Sequence, residues 1–335
     1  MSSKPVIPLA YASPSLGMHP THTLQRKIAA ISAAGYAGIE LAFDDLVSFA
    51  RAYLHNPTIT ATSYPQLVTA AQKIRLICAP HNHNLSIFVL QAFSNFDGYP
   101  AGSEKRADAW ERAKGWRDIM DALGCHMLQV GSNDDPESSG DLYVIAKDLA
   151  ELADFMKPRK VAYENWCWGA HVRTWKDTWA VVKKADKENL GLCLDTFQTV
   201  GGEWGDPTTA SGKIEREGLD RDYRESMHQL ASTIPKEKIF FFQISDALKP
   251  KEPLQGGYKA RGDWSHAFRP PPYMGGYLPV EDMVRAVLKT GFRGWFSMEV
   301  FLEEEHGKEW EEGLEEKWAG DAMQSMRRLL KECGA

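Results

Sequence analysis

Eight short apolar runs, spread from one end of the chain to the other and separated by amphipathic segments, constrain this sequence more than any other feature. They are VIPLAYA (6–12), AGIELAF (37–43), LSIFVLQAF (85–93), HMLQVGS (126–132), KVAYENW (160–166), LGLCLDTF (190–197), IFFFQISDA (239–247) and GWFSMEVF (294–301). Runs this apolar on both faces read as strands buried in a parallel sheet. Parallel neighbours need long crossovers, usually helical. The intervening segments supply them. Leu24, Ile28 and Ile31 form one helical stripe, and Met283, Val284, Val287 and Leu288 form another, closed by Gly291 as a C-cap. The segments 104–123, 141–156, 175–187 and 214–234 carry similar patterns. Eight strand–helix units predict an α/β protein, a single (β/α)8 TIM barrel over residues 1–335. A doubly wound nucleotide-binding sheet is disfavoured, because no GxGxxG follows the first run and no Walker-type loop is present.

Several classes of function are excluded early. The formal net charge is −6 with no basic stripe, so neither nucleic acid nor an anionic membrane is an expected partner. No apolar run approaches the length of a membrane span. The five cysteines are odd in number and form no CxxC, and no secretory segment is read at the N-terminus. A reduced, cytoplasmic protein is therefore expected. The composition leaves a homo-oligomer open.

Two connections are long, and both follow strand C-termini, the rim where barrel active sites are built. Residues 198–215 follow the sixth run. Residues 248–279 follow the seventh and include GGYKARGDWSHAFRPPPYMGGY. With Trp264, His266, Phe268, Tyr273 and Tyr277 to pack, the second is expected to be an ordered, lid-like loop. The charged segment 303–335 reads as a final helix that packs Trp310 and Trp318 on the barrel.

Glu164, Asp195, Gln243 and Glu299 sit near the ends of the last four runs, one per barrel unit, and so project from one rim. Three converging carboxylates must either take up protons or bind a cation. Oxygen ligands suit a hard divalent cation.

Beyond this spacing, the runs YENWCWGAHVRTWKDTWAVV, GLCLDTFQTVGGEWGDP, IFFFQISDA and GYLPVEDMVRAVLKTGFRGWFSMEVF resemble the xylose-isomerase-like metal-dependent barrels. Among these they look most like the 3-dehydroshikimate dehydratases of fungi and bacteria. The resemblance extends to SPSLG, GYAGIELAFDDL, VLQAFSNFDG and LQVGSND, and so covers nearly the whole chain. It implies a single metal ion on Glu164, Asp195, Gln243 and Glu299. The ion is expected to be Mn2+, with Mg2+ or Co2+ as alternatives. The implied reaction removes water from a cyclic hydroxy-ketone, 3-dehydroshikimate, to give protocatechuate. The sequence departs from the family at Gln198 and Trp166, where some members carry His, and at Ser94, where Arg is common. A sugar or cyclitol isomerase, an epimerase or an inosose-type dehydratase on the same barrel is the rival. Ketose epimerases usually have His where Gln243 stands, which counts against the epimerase.

Dehydration of a β-hydroxy ketone needs an α-proton removed, the enolate stabilised by a Lewis acid, and an acid for the departing hydroxyl. His171, seven residues past Glu164, is the candidate base or acid, alongside Glu164 and Glu299. Glu40, Lys249, Arg261 and His266 are the candidate contacts to the small-molecule substrate. His81 and His83 precede the third run, at the opposite rim, and read as structural. Cys193 shares a strand face with Asp195 and reads as a small buried hydrophobe. An amide at position 243 keeps the ligand set all-oxygen and cannot be protonated away, unlike imidazole. Gln243→His is therefore expected to shift metal preference toward zinc and to make metal retention fall more sharply below neutral pH. Metal-competition titrations from pH 5 to 8 check this.

Overall fold

The computed structural model describes residues 6–335. Ten strands are present among them: β1 (Leu9–Ala12), β2 (Gly38–Ala42), β3 (Ser86–Phe93), β4 (Met127–Gly131), β5 (Lys160–Glu164), β6 (Leu190–Asp195), β7 (Ile239–Ile244), β8 (Phe268–Arg269), β9 (Trp295–Met298) and β10 (Phe301–Leu302). Strands β1 to β7 and β9 close into an eight-stranded barrel. All neighbours are parallel, and β1 seals the ring against β9 with Ala10 opposite Ser297. Each apolar run supplies one barrel strand, shortened at its ends. The run 190–197 stops at Asp195, whose side chain caps the helix Thr196–Glu203 that follows at once. The fold is the expected (β/α)8 barrel.

The period of two along each strand divides the core in two. Val161 and Tyr163 of β5, Leu192 and Leu194 of β6, and Phe242 and Ile244 of β7 belong to the large cluster between strands and helices. The alternate residues Phe88, Met127, Ala162, Cys193 and Phe241 form a separate cluster in the lumen. Phe88 meets Phe241 edge-on at 5.5 Å and stacks on Trp295 at 4.7 Å. Trp295 fits because position 38 is glycine, where a Cβ would lie 2.7 Å from its ring. The lumen thus has an apolar floor. One pleat higher, toward the strand C-termini, Met127 gives way to Gln129, Ala162 to Glu164, Cys193 to Asp195 and Phe241 to Gln243.

The connections are more regular than the sequence predicts. The segment after β6 runs as a helix to Glu203 and then turns, with Gly205 bridged to Lys213. Residues 248–279 contain the helix Ala260–Ala267 and strand β8, which pairs antiparallel with β10 just beyond Glu299. The C-terminal segment is not one helix. It breaks into Glu303–His306 and Leu314–Glu332, and Gly313 adopts a positive φ of 86° where the second begins. Trp318 is buried as expected, between the rings of His22 and His306. Trp310 departs from the expectation. It lies in the break and stays 37% exposed, with the Arg26 guanidinium 4.0 Å from its ring. No helix of the described residues is long and apolar enough to cross a membrane.

Candidate metal centre

Seven carboxylate and amide side chains ring the lumen above the apolar floor, with the buried Ser297 hydroxyl beside Glu40. Glu40, Gln91, Gln129, Glu164, Asp195 and Gln243 come from β2 to β7 in order, and Glu299 lies directly after β9. All are buried, and Glu299 is the most open at 6% exposure. Glu164, Asp195 and Glu299 each bring a carboxylate oxygen within 4.8 Å of the other two. These are three of the four residues that the resemblance implies as ligands.

Each carboxylate is held by a different local device. The Gln129 amide and the Trp166 indole N–H, at 3.1 Å, donate to Glu164 Oε2. Position 131 is glycine, and a Cβ there would lie 2.1 Å from the Trp166 ring, so this glycine makes room for the indole. Asp195 Oδ1 accepts from the backbone N–H groups of Phe197 (2.6 Å) and Gln198 (3.2 Å), as an N-cap does. Its Oδ2 pairs with Arg269 Nη2 at 2.6 Å. The same guanidinium reaches Glu299 Oε2 at 3.1 Å and the Ser245 hydroxyl, and lies between the rings of Phe197 and Phe301. Glu40 Oε2 and Glu299 Oε1 each accept from two amides. Gln91 Nε2 donates to them at 3.0 and 3.1 Å, and Gln243 Nε2 donates to both at 2.9 Å.

The electrostatics are unbalanced. Four carboxylates, Glu40, Glu164, Asp195 and Glu299, face one buried guanidinium. Burial raises the Glu40 carboxyl to about 8, with the Glu299 charge adding to the effect. Burial also raises Glu299 to about 7 against the opposing pull of Arg269. Glu164 is pushed well above its usual range by burial and by the charges of Glu299 and Asp195. Glu40 Oε1 and Glu164 Oε1 are buried with no hydrogen-bond partner. A divalent cation answers both the surplus charge and the unpartnered oxygens, and the hard oxygen donors suit one. Glu164, Asp195 and Glu299 could therefore hold a divalent metal ion.

Gln243 lies in the ring, with its Oε1 accepting from Cys193 Sγ at 3.1 Å. Its NH2 group is the end directed at Glu40 and Glu299, so ligation through the amide oxygen requires the amide to turn over. The other expected residues are bonded elsewhere. His171 is exposed, with Nε2 2.8 Å from the Ser138 carbonyl, which anchors it to the neighbouring loop and not to the carboxylates. Lys249 is exposed and donates to the Ala210 carbonyl. Arg261 binds the carbonyls of Gly201 and Gly205 and lies 3.5 Å from Asp206, fastening the connection after β6. His266 is exposed, bonds the Gly262 carbonyl and lies beside Trp168 and Phe301, whose partial desolvation of the ring lowers its pKa. Glu40 is fully buried inside the ring and not at an open surface. Gln91, Gln129 and Arg269 were not anticipated. The two glutamines show the signal that singled out Gln243, a lone amide in an apolar run.

Two outcomes follow from the charge balance. Above pH 4.5 the folded cation-free protein holds protons that the unfolded chain releases, up to about pH 7 on Glu299 and about pH 8 on Glu40. Their contribution to stability is therefore complete at low pH and is lost as pH rises toward 8. Thermal melts in EDTA should show this loss, and the rise in Tm on adding Mn2+ should grow across the same window. Arg269→Met leaves the buried carboxylates uncompensated. It should cost about 3–5 kcal/mol in EDTA, with part recovered by Mn2+, as denaturant titrations would measure.

The chain matches a family model described as xylose isomerase-like TIM barrel over residues 28–329. It is 33% identical over 313 residues to a 3-dehydroshikimate dehydratase of Neurospora crassa, covering 88% of this chain and 86% of that protein. It is 32% identical over 282 residues to a Pseudomonas aeruginosa protein of the same name, covering 83% of this chain but only 36% of that longer protein. Among solved structures, a xylose isomerase-like TIM barrel/4-hydroxyphenylpyruvate dioxygenase fusion protein superposes on 98% of this chain and 44% of its own. Its TM-score is 0.75 and its identity 26%. The chain belongs to the xylose isomerase-like TIM-barrel family, as a relative of proteins named 3-dehydroshikimate dehydratase.

Proposed function

We propose that this protein is a divalent-metal-dependent dehydratase that converts 3-dehydroshikimate to protocatechuate. One observation carries the reading. Three buried carboxylates converge at the C-terminal rim of the barrel, in a chain that aligns along 88% of its length with a protein of that named activity. The cation would be held by Glu164, Asp195 and Glu299, joined by Gln243 once its amide turns over, with Mn2+ as the expected ion. When bound, it supplies Lewis-acid polarisation of the substrate's carbonyl or neighbouring hydroxyl oxygen.

The chain's own groups do the rest. Arg269 orients Asp195 and Glu299, and Gln129 and Trp166 fix Glu164 by one oxygen. Proton removal falls to a carboxylate of the ring, because His171 is tied to Ser138. Glu40 Oε1 is the unpartnered oxygen left for this task if Glu164 is a ligand. The α-proton moves to that oxygen, the β C–O bond breaks, and hydroxide leaves as water after taking a proton from an acid. Tautomerisation then makes the ring aromatic.

Residues 248–279, which carry Arg269 to Asp195 and Glu299, are read as the lid of a single-domain barrel.

The test is to incubate the metal-stripped protein with Mn2+ and 3-dehydroshikimate and to follow protocatechuate absorbance. Product should form with Mn2+ and not in EDTA. Absence of product with Mn2+, Mg2+ and Co2+ alike would overturn the assignment. Solvent-deuterium exchange into substrate without loss of water would point instead to an isomerase or epimerase.

A further inference from the structure

We propose that Gln91 is a positioning residue of the cation site, one that keeps Glu40 and Glu299 in place while Gln243 turns its amide oxygen toward the ion. The inference rests on the reading of the ring as a metal centre, but not on the identity of the substrate.

The argument begins with a duplication. Gln91 and Gln243 donate to the same two oxygens, Glu40 Oε2 and Glu299 Oε1, at distances from 2.9 to 3.1 Å. They come from β3 and β7, which lie four places apart in an eight-stranded ring and so face each other across the lumen. An NH2 group has two hydrogens, so each amide spends its full donor capacity on this carboxylate pair. Either amide alone is enough to bridge the two carboxylates.

Gln243 cannot be both clamp and ligand. An amide coordinates a cation through its oxygen, and Gln243 Oε1 is taken by the Cys193 thiol. Turning the amide over brings the oxygen to the carboxylate side and sends the NH2 group toward Cys193 Sγ. Glu40 and Glu299 then each lose one N–H donor at the moment the ion binds. A buried carboxylate oxygen deprived of its donor is strongly disfavoured. Gln91 removes that obstacle, because its two N–H groups remain on both oxygens whichever way Gln243 faces. Position 91 therefore sets metal affinity without touching the metal.

The experiment is a Mn2+ titration of the full-length, metal-stripped protein without substrate, reading free Mn2+ by electron paramagnetic resonance. Gln91→Met keeps the shape and removes both donors. It should still bind one ion per chain, with Kd raised tenfold or more. At saturating Mn2+ the melting temperature and near-ultraviolet circular dichroism should return to those of wild type, since Gln91 holds carboxylates and not the strand. An unchanged Kd overturns the proposal, as does a melt that saturating Mn2+ fails to restore, which would mark a distorted strand. If Gln91→Met does not fold, Gln91→Asn carries the same comparison, because its shorter side chain falls short of both carboxylates. A wild type that binds no Mn2+ overturns both the metal centre and this inference. If Gln91→Met loses affinity while wild type yields no protocatechuate, the substrate assignment fails and the inference stands. If protocatechuate forms but Kd is unchanged, the reverse holds.

Discussion

Four buried carboxylates share one end of a barrel lumen with a single guanidinium, and the arrangement around them answers to that imbalance. The apolar floor of Phe88, Met127 and Phe241 denies them water from below. Their remaining partners are neutral, among them the amides of Gln91, Gln129 and Gln243, the indole of Trp166 and the backbone N–H groups that cap Asp195. Neutral donors orient a carboxylate without cancelling its charge. Lysines in the same places would satisfy the same oxygens and abolish the attraction for a cation. The choice of amides keeps the ring acidic and ordered at once, which is what selective capture of a small divalent ion demands.

The barrel makes this order inexpensive, because Asp195 and Glu164 are each held by groups of their own strand end or of the strand beside it. Asp195 ends β6 and caps the next helix, so its orientation is set by backbone geometry. Glu164 ends β5, and Trp166 folds back over the glycine that ends β4. A change at any one rim position is therefore felt through backbone and packing as well as through charge. That coupling explains how Glu164, Asp195 and Glu299, from three separate strand ends, keep carboxylate oxygens within 4.8 Å of one another.

Much of this could be read in the sequence, and what could not has a physical reason. Both-face apolar runs identify buried parallel strands, and a carboxylate at the end of such a run has few structural uses, so Glu164, Asp195 and Glu299 stand out. Gln91 and Gln129 carry the same signal as Gln243, but no position in the resemblance assigns them a role. Arg269 lies in FRPPPY, an aperiodic stretch where no spacing reports direction. The same limit applies to His171, Lys249 and Arg261. Nearness to a strand end does not say which way a rim loop turns, and all three side chains meet backbone carbonyls of the rim loops.

The short pairing of β8 with β10 ties two things together that are usually separate. Arg269 sits opposite Phe301, two residues beyond Glu299, so the long connection after β7 carries the only guanidinium that meets the ring among the described residues. The counter-charge and the chain that borders Glu299 are therefore one piece: residue 269 cannot be placed without also placing the strand beside it.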